Sequence, residues 1–176
     1  MLNDAELPGK IMKTGVKNVS LGCGPRKKPQ FLRVDRERTY TPDILMDLEE
    51  RWNFPPDWFR LVLAESIIEH VRDVPAFVNQ CWDCLELGGT LEIKTPYWAG
   101  RWATGDPTHI HFFNFDSFNG WTYWARDYVH LNGRRRFKHV GLSLEEEGPG
   151  GARAEIEEKG FCRVLGMTFI LKKEAW

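Results

Sequence analysis

The chain has no long apolar run. Nothing in its 176 residues approaches the roughly 18 consecutive apolar residues of a membrane span. The opening stretch Met1-Leu2-Asn3-Asp4-Ala5-Glu6 is acidic and carries no apolar signal core. A cytoplasmic protein with no membrane partner is expected. Net charge is also missing: 24 Lys and Arg stand against 25 Asp and Glu, a formal charge of −1. Nucleic-acid binders draw affinity from neutralising phosphates, so this balance argues against nucleic acid as a partner. Cysteine is scarce. Cys23, Cys81, Cys84 and Cys162 are too few for a disulfide scaffold in a chain of this size. Cys81-x-x-Cys84 has no second cysteine pair to complete a zinc site and reads as packing on a helix face. Internal repeats and low-complexity tracts are absent as well.

What is present is enough for a core. Hydrophobic residues make up 42% of the chain and charged residues 28%, which suits one folded domain spanning 1–176. Aromatics are abundant, with 8 Trp, 11 Phe and 4 Tyr, and they crowd the segment between Tyr97 and Tyr128.

Apolar runs bounded by turn residues predict strands at Lys17–Leu21, Phe31–Asp35, Ile44–Met46, Trp58–Ala64 and Thr90–Thr95. Further strands are expected at Phe137–Leu144 and Cys162–Leu171. Val74, Phe77, Val78, Cys81, Trp82 and Leu85 recur at three- and four-residue spacing, so this stretch is expected to be a helix ending at Gly88-Gly89. The first sixteen residues read as a short arm, and Ala152–Lys159 as a short helix. Strands interleaved with helices imply an α/β fold whose sheet is mainly parallel. One connection is unusual. Six residues, Pro25 to Gln30, lie between Gly24 and Phe31, whereas a parallel crossover normally takes a dozen or more. Either these strands are not parallel neighbours or the crossover helix has shrunk to a turn.

Leu21-Gly22-Cys23-Gly24 ends the first strand, and glycines there let a ligand approach the backbone. A dinucleotide fingerprint needs a third glycine where Lys27 stands, and a full helix after it. A nicotinamide or flavin oxidoreductase is therefore disfavoured. Asp35, at the end of the second strand, can accept from both hydroxyls of a ribose. Asp47, followed by Leu48, repeats the arrangement one strand on and can accept from an adenine amino group. Gly-x-Gly, Asp and Asp-Leu on successive strand ends suggest a nucleoside without pyrophosphate. The plain alternatives are a tight turn and solvated strand-end carboxylates.

Val19–Pro25, Phe31–Asp35 and Asp43–Glu49, with Ala64-Glu65-Ser66-Ile67-Ile68-Glu69-His70-Val71, Leu87–Ile93 and Asp106-Pro107-Thr108-His109, closely resemble class I S-adenosylmethionine-dependent methyltransferases of the compact, type-11-like branch. The resemblance implies a Rossmann-like, doubly wound, seven-stranded sheet with its last strand antiparallel and a shortened first crossover. It implies S-adenosylmethionine as cofactor. Gly22, Cys23 and Gly24 would approach its amino-acid part, Asp35 its ribose, and Asp47 with Leu48 its adenine, while Ala64 and Glu65 would line the methionine end. Relatives with this Glu-His-Val segment commonly carry histidine where this chain has Ser66.

His70 and His109 are the catalytic candidates, because imidazole titrates near neutrality; for His70 the plainer reading is a histidine bonded to backbone at a helix start. His109-x-His111 with Asp106 is a thin metal set, since alternate residues of a strand share a face and a third ligand is poorly provided. No metal is expected. Trp98, Trp102 and His111 are the candidate substrate contacts. Residues 97–135 are expected to be a substrate-covering insertion, and their aromatics offer a surface for a homo-oligomer. The basic run Arg134–His139, followed by Glu145-Glu146-Glu147, reads as a solvated, charge-balanced hairpin, with a grip on an anionic substrate as the alternative.

The chain has neither the Asn/Asp-Pro-Pro-aromatic motif of amino-methylating relatives nor the Pro-Cys of the cytosine-C5 type. A small-molecule or sugar-like acceptor is therefore expected. The competing class is a non-catalytic methyltransferase-like module that binds S-adenosylmethionine or acts through a protein partner.

Overall fold

Short apolar runs become the strands of a seven-stranded sheet in this computed structural model, which describes residues 6–146 and 164–176. In chain order the elements are α1 (Leu7–Thr14), β1 (Asn18–Leu21), β2 (Leu32–Asp35), β3 (Ile44–Leu45), β4 (Phe59–Glu65), α2 (Val74–Cys84), β5 (Leu85–Pro96), α3 (Arg101–Gly105), α4 (Val129–Asn132), β6 (Arg136–Glu146) and β7 (Val164–Glu174). The strand order is β3-β2-β1-β4-β5-β7-β6. The first five strands run parallel, and β7 inserts antiparallel between β5 and β6. This is the doubly wound arrangement with an antiparallel last strand that the sequence led us to expect.

The register decides where a ligand can bind. Leu21 pairs with Val34 on one side and with Ala64 on the other, so β1, β2 and β4 end side by side. Glu65 pairs with Lys94, which carries the same edge across to β5. Open parallel sheets bind ligands beyond such an edge. The short crossover resolves as a turn: β1 and β2 are parallel neighbours, and Cys23 donates its N–H to the Val34 carbonyl at 3.0 Å.

Two local expectations are corrected. Residues 7–14, expected as part of an arm, form a helix that buries Leu7 and Ile11 on one side and stops at Gly15, φ +69°. Pro8 suggested a turn, but proline is tolerated in the first helical turn, where its missing N–H has no partner to lose. The second helix does not run to Gly88-Gly89. It ends at Cys84, and Leu85 is already extended and buried. The two glycines lie inside β5 at an irregularity in its pairing with β4. A Cβ on Gly89 would come within 2.9 Å of the Phe59 carbonyl, so glycine there serves close backbone approach. The expected helix at Ala152–Lys159, and Cys162 at the head of the last strand, lie outside the described residues.

Aromatic rings take over where helices are missing. The β3–β4 connection is sealed by Trp52, whose ring meets Phe77 edge-on at 5.2 Å, and by Phe54 against Phe59 at 5.7 Å. The aromatic segment after β5 does the same further along. Phe118 stacks on Phe113 at 5.7 Å and meets Phe169 of β7 edge-on at 4.7 Å. Trp121 donates its indole N–H to Asn79 Oδ1 of α2 at 2.9 Å, and Asn79 Nδ2 donates to the Leu131 carbonyl at 3.0 Å. Lys173, 4% exposed, ties β7 to the β3–β4 connection, the start of β5 and α2. Its ammonium donates to Asp57 at 2.6 Å and to the Leu85 carbonyl at 2.7 Å while lying 3.8 Å over the Trp82 ring. Cys81 and Cys84 are buried in the core, and burial raises both thiol pKa values far above the ordinary range.

Candidate functional site

The turn after β1 holds two left-handed glycines, Gly22 at φ +58° and Gly24 at φ +54°. Their surroundings differ. A Cβ on Gly22 would strike Ile67 at 2.7 Å, whereas a Cβ on Gly24 would have, among the described residues and beyond its own chain neighbours, no atom within 4 Å. Gly24 thus leaves open space beside a strand end. Asp35, 8% exposed, borders it: Oδ2 accepts from Gly24 N at 2.9 Å and Oδ1 from Glu37 N at 2.9 Å. Each oxygen keeps a further lone pair for a ligand hydroxyl. Arg33 straps this corner by donating to the carbonyls of Gly24, Tyr40 and Thr41. Cys23 is buried, and that burial pushes its thiol pKa up.

The remaining strand-end candidates are placed as follows. Ala64 is fully buried, and Leu48 packs in the core. Asp47 is exposed, with Oδ1 accepting from Glu49 N at 3.0 Å. It borders a broad open depression of about 1550 Å³ on the β3 side, which includes neither Gly24 nor Asp35. Glu65 reaches across to the shortened crossover, where Arg26 meets one of its oxygens at 2.8 Å and Lys28 the other. Burial works to raise the Glu65 pKa, but the hydrogen bond and charge of Lys28, with Lys94 and Arg26, win and lower it.

A smaller cavity of about 430 Å³ opens where β4 and β5 end, lined by Ser66, Glu69, His70, Pro96, Arg101, Trp102, Gly105, Asp106 and His109. Ser66, at φ +51°, turns the chain out of β4; it precedes Ile67, the residue against Gly22, so glycine turn and cavity are adjacent. Ile68–His70 then forms a single 3-10 turn. The Glu69 carbonyl accepts from Ile110 N at 2.9 Å and His111 N at 3.2 Å, which pins the 106–111 loop over the opening. This is the cavity with the chemistry.

Its histidines are held by their Nδ1 atoms. His70 Nδ1 lies 3.2 Å from the Thr108 carbonyl and 3.1 Å from Thr108 Oγ1, while His109 Nδ1 lies 3.0 Å from the Ala103 carbonyl. A carbonyl can only accept, so these bonds place a proton on Nδ1, and in the neutral imidazole Nε2 is the atom that keeps a lone pair. Thr108 Oγ1 in turn donates to Asp106 Oδ1 at 2.6 Å, and hydrogen bonds from Thr108 hold the Asp106 carboxyl below its usual pKa. Glu69 is 1% exposed, and burial raises its pKa.

The structure brings His70, His109 and Trp102 together and leaves Trp98 and His111 outside the cavity lining. The expectation that His109 and His111 alternate on a strand fails. No strand forms there, and His111 instead approaches the Arg72 carbonyl with Nε2 at 3.3 Å. Pro107 and the Asp106 turn break the pattern before a ladder can form. Sequence reasoning passed over Glu69 and Arg101. Glu69 was visible inside the Glu-His-Val segment, but a carboxylate next to a histidine reads as solvated until its burial is known. Arg101 gave no signal.

No protein-family model matches the chain, and no curated protein matches it. Solved structures do. A methyltransferase from Archaeoglobus fulgidus described as S-adenosylmethionine-dependent superposes with a TM-score of 0.60 at 12% identity, over 97% of this chain and 95% of its own. An S-adenosylmethionine-dependent methyltransferase from Mesorhizobium loti gives 0.57 at 17% identity, over 89% and 90%. Phosphoethanolamine N-methyltransferase 2 from Haemonchus contortus, solved with phosphomonomethylethanolamine and S-adenosylhomocysteine, gives 0.55 at 12% identity, over 90% of this chain and 48% of its own. At such identities the likeness is one of fold: the chain has the class I S-adenosylmethionine-dependent methyltransferase fold.

Proposed function

We propose that this chain, built on the class I methyltransferase fold, transfers a methyl group from S-adenosylmethionine to a small-molecule acceptor. The observation that carries the reading is adjacency: the open Gly24 turn with its Asp35 carboxylate abuts, through Gly22 and Ile67, a cavity holding two histidines with free Nε2 lone pairs. The residues present fit the cofactor. Gly24 leaves a space that a β-carbon would fill, with the Gly22-Cys23-Gly24 backbone serving the amino-acid part. Asp35 retains acceptor capacity for the ribose, and the adenine is assigned to the exposed Asp47 past the next strand end, with Leu48 buried in the core behind it. Ala64 and Glu65 occupy the methionine end, where Lys28 and Arg26 now hold Glu65.

When bound, S-adenosylmethionine supplies an electrophilic methyl carbon on a sulfonium; the carbon–sulfur bond breaks toward sulfur as the acceptor's lone pair forms the new bond. The protein's task is to position the acceptor in line and exclude water. Trp102 and Arg101 shape the cavity wall, and the imidazoles of His70 and His109 take the proton that the acceptor releases. Trp98 and His111 are left to any part of the acceptor extending past the cavity. Residues 97–135 divide the labour: 101–109 cover the acceptor, and 113–132 complete the core. Buried free thiols suit a cytoplasmic setting.

Calorimetry with S-adenosylmethionine, followed by a methyl-transfer assay on hydroxyl- and amine-bearing small molecules, tests the reading. Saturable binding and turnover are expected. No binding by the folded chain refutes it. The exposed Trp98, Tyr123 and Trp124 favour one second reading, a non-catalytic module that presents this aromatic surface to a protein partner or a second copy. Cofactor binding without turnover on any acceptor supports that module.

A further inference from the structure

Glu69 is 1% exposed and enclosed, yet its two oxygens are treated unequally. Oε2 accepts from Thr95 Oγ1 at 3.2 Å, while Oε1 has no hydrogen-bond partner among the described residues. A buried carboxylate oxygen left unpaired is costly, and each such group in a folded protein needs a cause. The cause lies beside it. The rings of His70 and His109 meet edge to face at 4.7 Å, and one ligating atom from each of Glu69, His70 and His109 lies within 4.8 Å of the other two.

The surroundings of the imidazoles point the same way. Both Nδ1 atoms are committed to backbone carbonyls, those of Thr108 and Ala103. That arrangement fixes the tautomer and ring orientation of metal-bound histidines. Among the described residues the remaining lone pairs are uncommitted: Asp106 Oδ2 lies 3.9 Å from His109 Nε2, too far for a hydrogen bond. In their neutral form the two imidazoles, with one carboxylate, offer a divalent cation a single compensating charge. Two nitrogens and one oxygen suit zinc and its first-row neighbours, whereas calcium and magnesium demand mostly oxygen.

We propose that Glu69, His70 and His109 form a site for one divalent transition-metal ion, with its open coordination positions facing the 430 Å³ cavity. Three protein ligands leave room for an exogenous oxygen. A hydroxyl bound there loses its proton more readily, because the cation stabilises the alkoxide or phenolate that remains. The acceptor is then an oxygen nucleophile whose proton passes to solvent water at the cavity mouth, and with their Nε2 lone pairs on the ion the two imidazoles serve as ligands in place of the proton-accepting role given above. This last step rests on the methyl-transfer reading; ion binding itself does not.

The test is a titration of the chelator-treated full-length chain with Co²⁺ alone, followed by its visible ligand-field absorption. One Co²⁺ per chain is expected, displaced by one Zn²⁺. Glu69→Gln and His109→Ala should weaken binding at least tenfold, and His111→Ala should leave it unchanged. No stoichiometric binding, or a spectrum that survives both ligand substitutions, overturns the proposal. Should the ligand variants fail to fold, the parent decides. Bound Co²⁺ must protect His70 and His109 from diethyl pyrocarbonate while His130 reacts freely; equal modification of all three overturns the proposal. S-adenosylmethionine calorimetry on the same metal-free chain separates the readings. Cofactor binding without metal binding sinks the ion alone, and metal binding without cofactor binding sinks the methyltransferase alone.

Discussion

Gly22 lies so close to Ile67 that a β-carbon on the glycine would come within 2.7 Å of the isoleucine side chain, while one on Gly24, two residues on, would meet nothing within 4 Å among the described residues beyond its chain neighbours. The two glycines look interchangeable in a Gly-x-Gly motif, and both sit at positive φ. They do different work. Gly24→Ala should cost about 1 kcal/mol of stability, the strain of a left-handed alanine, and should weaken S-adenosylmethionine binding tenfold or more. Gly22→Ala meets the same strain plus a clash with Ile67, so it should destabilise more strongly. Melting temperatures and calorimetry on both variants check this. A Gly24→Ala chain that binds cofactor as tightly as the parent would show the open space is not the cofactor's.

The aromatic segment makes a second contrast. Phe118 is 2% exposed and packs between Phe113 and Phe169, whereas Trp102 is 41% exposed and borders the cavity. Phe118→Ala should cost about 3–5 kcal/mol, lowering the melting temperature by roughly 10 °C. Trp102→Ala should melt within about 2 °C of the parent and lose turnover with cofactor affinity nearly unchanged. A Trp102→Ala chain that melts as early as Phe118→Ala would make the tryptophan a core residue.

The sheet was legible because strand signals are local. Val19, Leu21, Val34 and Val62 are each apolar and buried, and they lie in short runs bounded by turn residues. The end of α2 was misread for the opposite reason. Gly88-Gly89 is an ordinary helix stop, but burial of Leu85 against β4's partner positions pulls the chain into the sheet three residues sooner. At the site, strand-end residues could be ordered from the motif, since parallel register brings successive ends together. The Glu69–His70–His109 cluster could not. His109 lies nearly forty residues from the adjacent Glu69 and His70, and it reaches them because Ile110 and His111 donate to the Glu69 carbonyl, a contact no periodicity encodes.

Glu65 gives a pH dependence with a definite sign. Its carboxyl is held below the usual glutamate range, chiefly by Lys28 acting against the opposing effect of burial. A group whose pKa is lower folded than unfolded adds stability above its unfolded pKa, about 4.3, and loses it as pH falls through the folded value. Lys28→Met should therefore melt earlier than the parent at pH 7, with the gap closing below about pH 4. Thermal melts from pH 7 to pH 3 read this directly. A gap that stays constant over that range would mean Lys28 acts through packing.

Thr108 is the hinge between the cavity loop and His70. Its hydroxyl donates to Asp106 Oδ1 at 2.6 Å and its N–H to the same oxygen at 2.8 Å, while its Oγ1 and carbonyl face His70 Nδ1 at 3.1 and 3.2 Å. Thr108→Val keeps the β-branched shape and both backbone contacts but removes the hydroxyl. His70 then keeps one partner instead of two, and its ring orientation loosens. Positioning of this kind is worth about 10–100-fold where an imidazole must hold one tautomer and direction, so methyl transfer should fall by about that factor. Thr108→Ser restores the hydroxyl and should restore the rate. Because Thr108 is exposed, neither variant should melt more than about 2 °C from the parent. A Thr108→Val chain with full activity, or one that Thr108→Ser fails to rescue, would place His70 outside the hydroxyl's control.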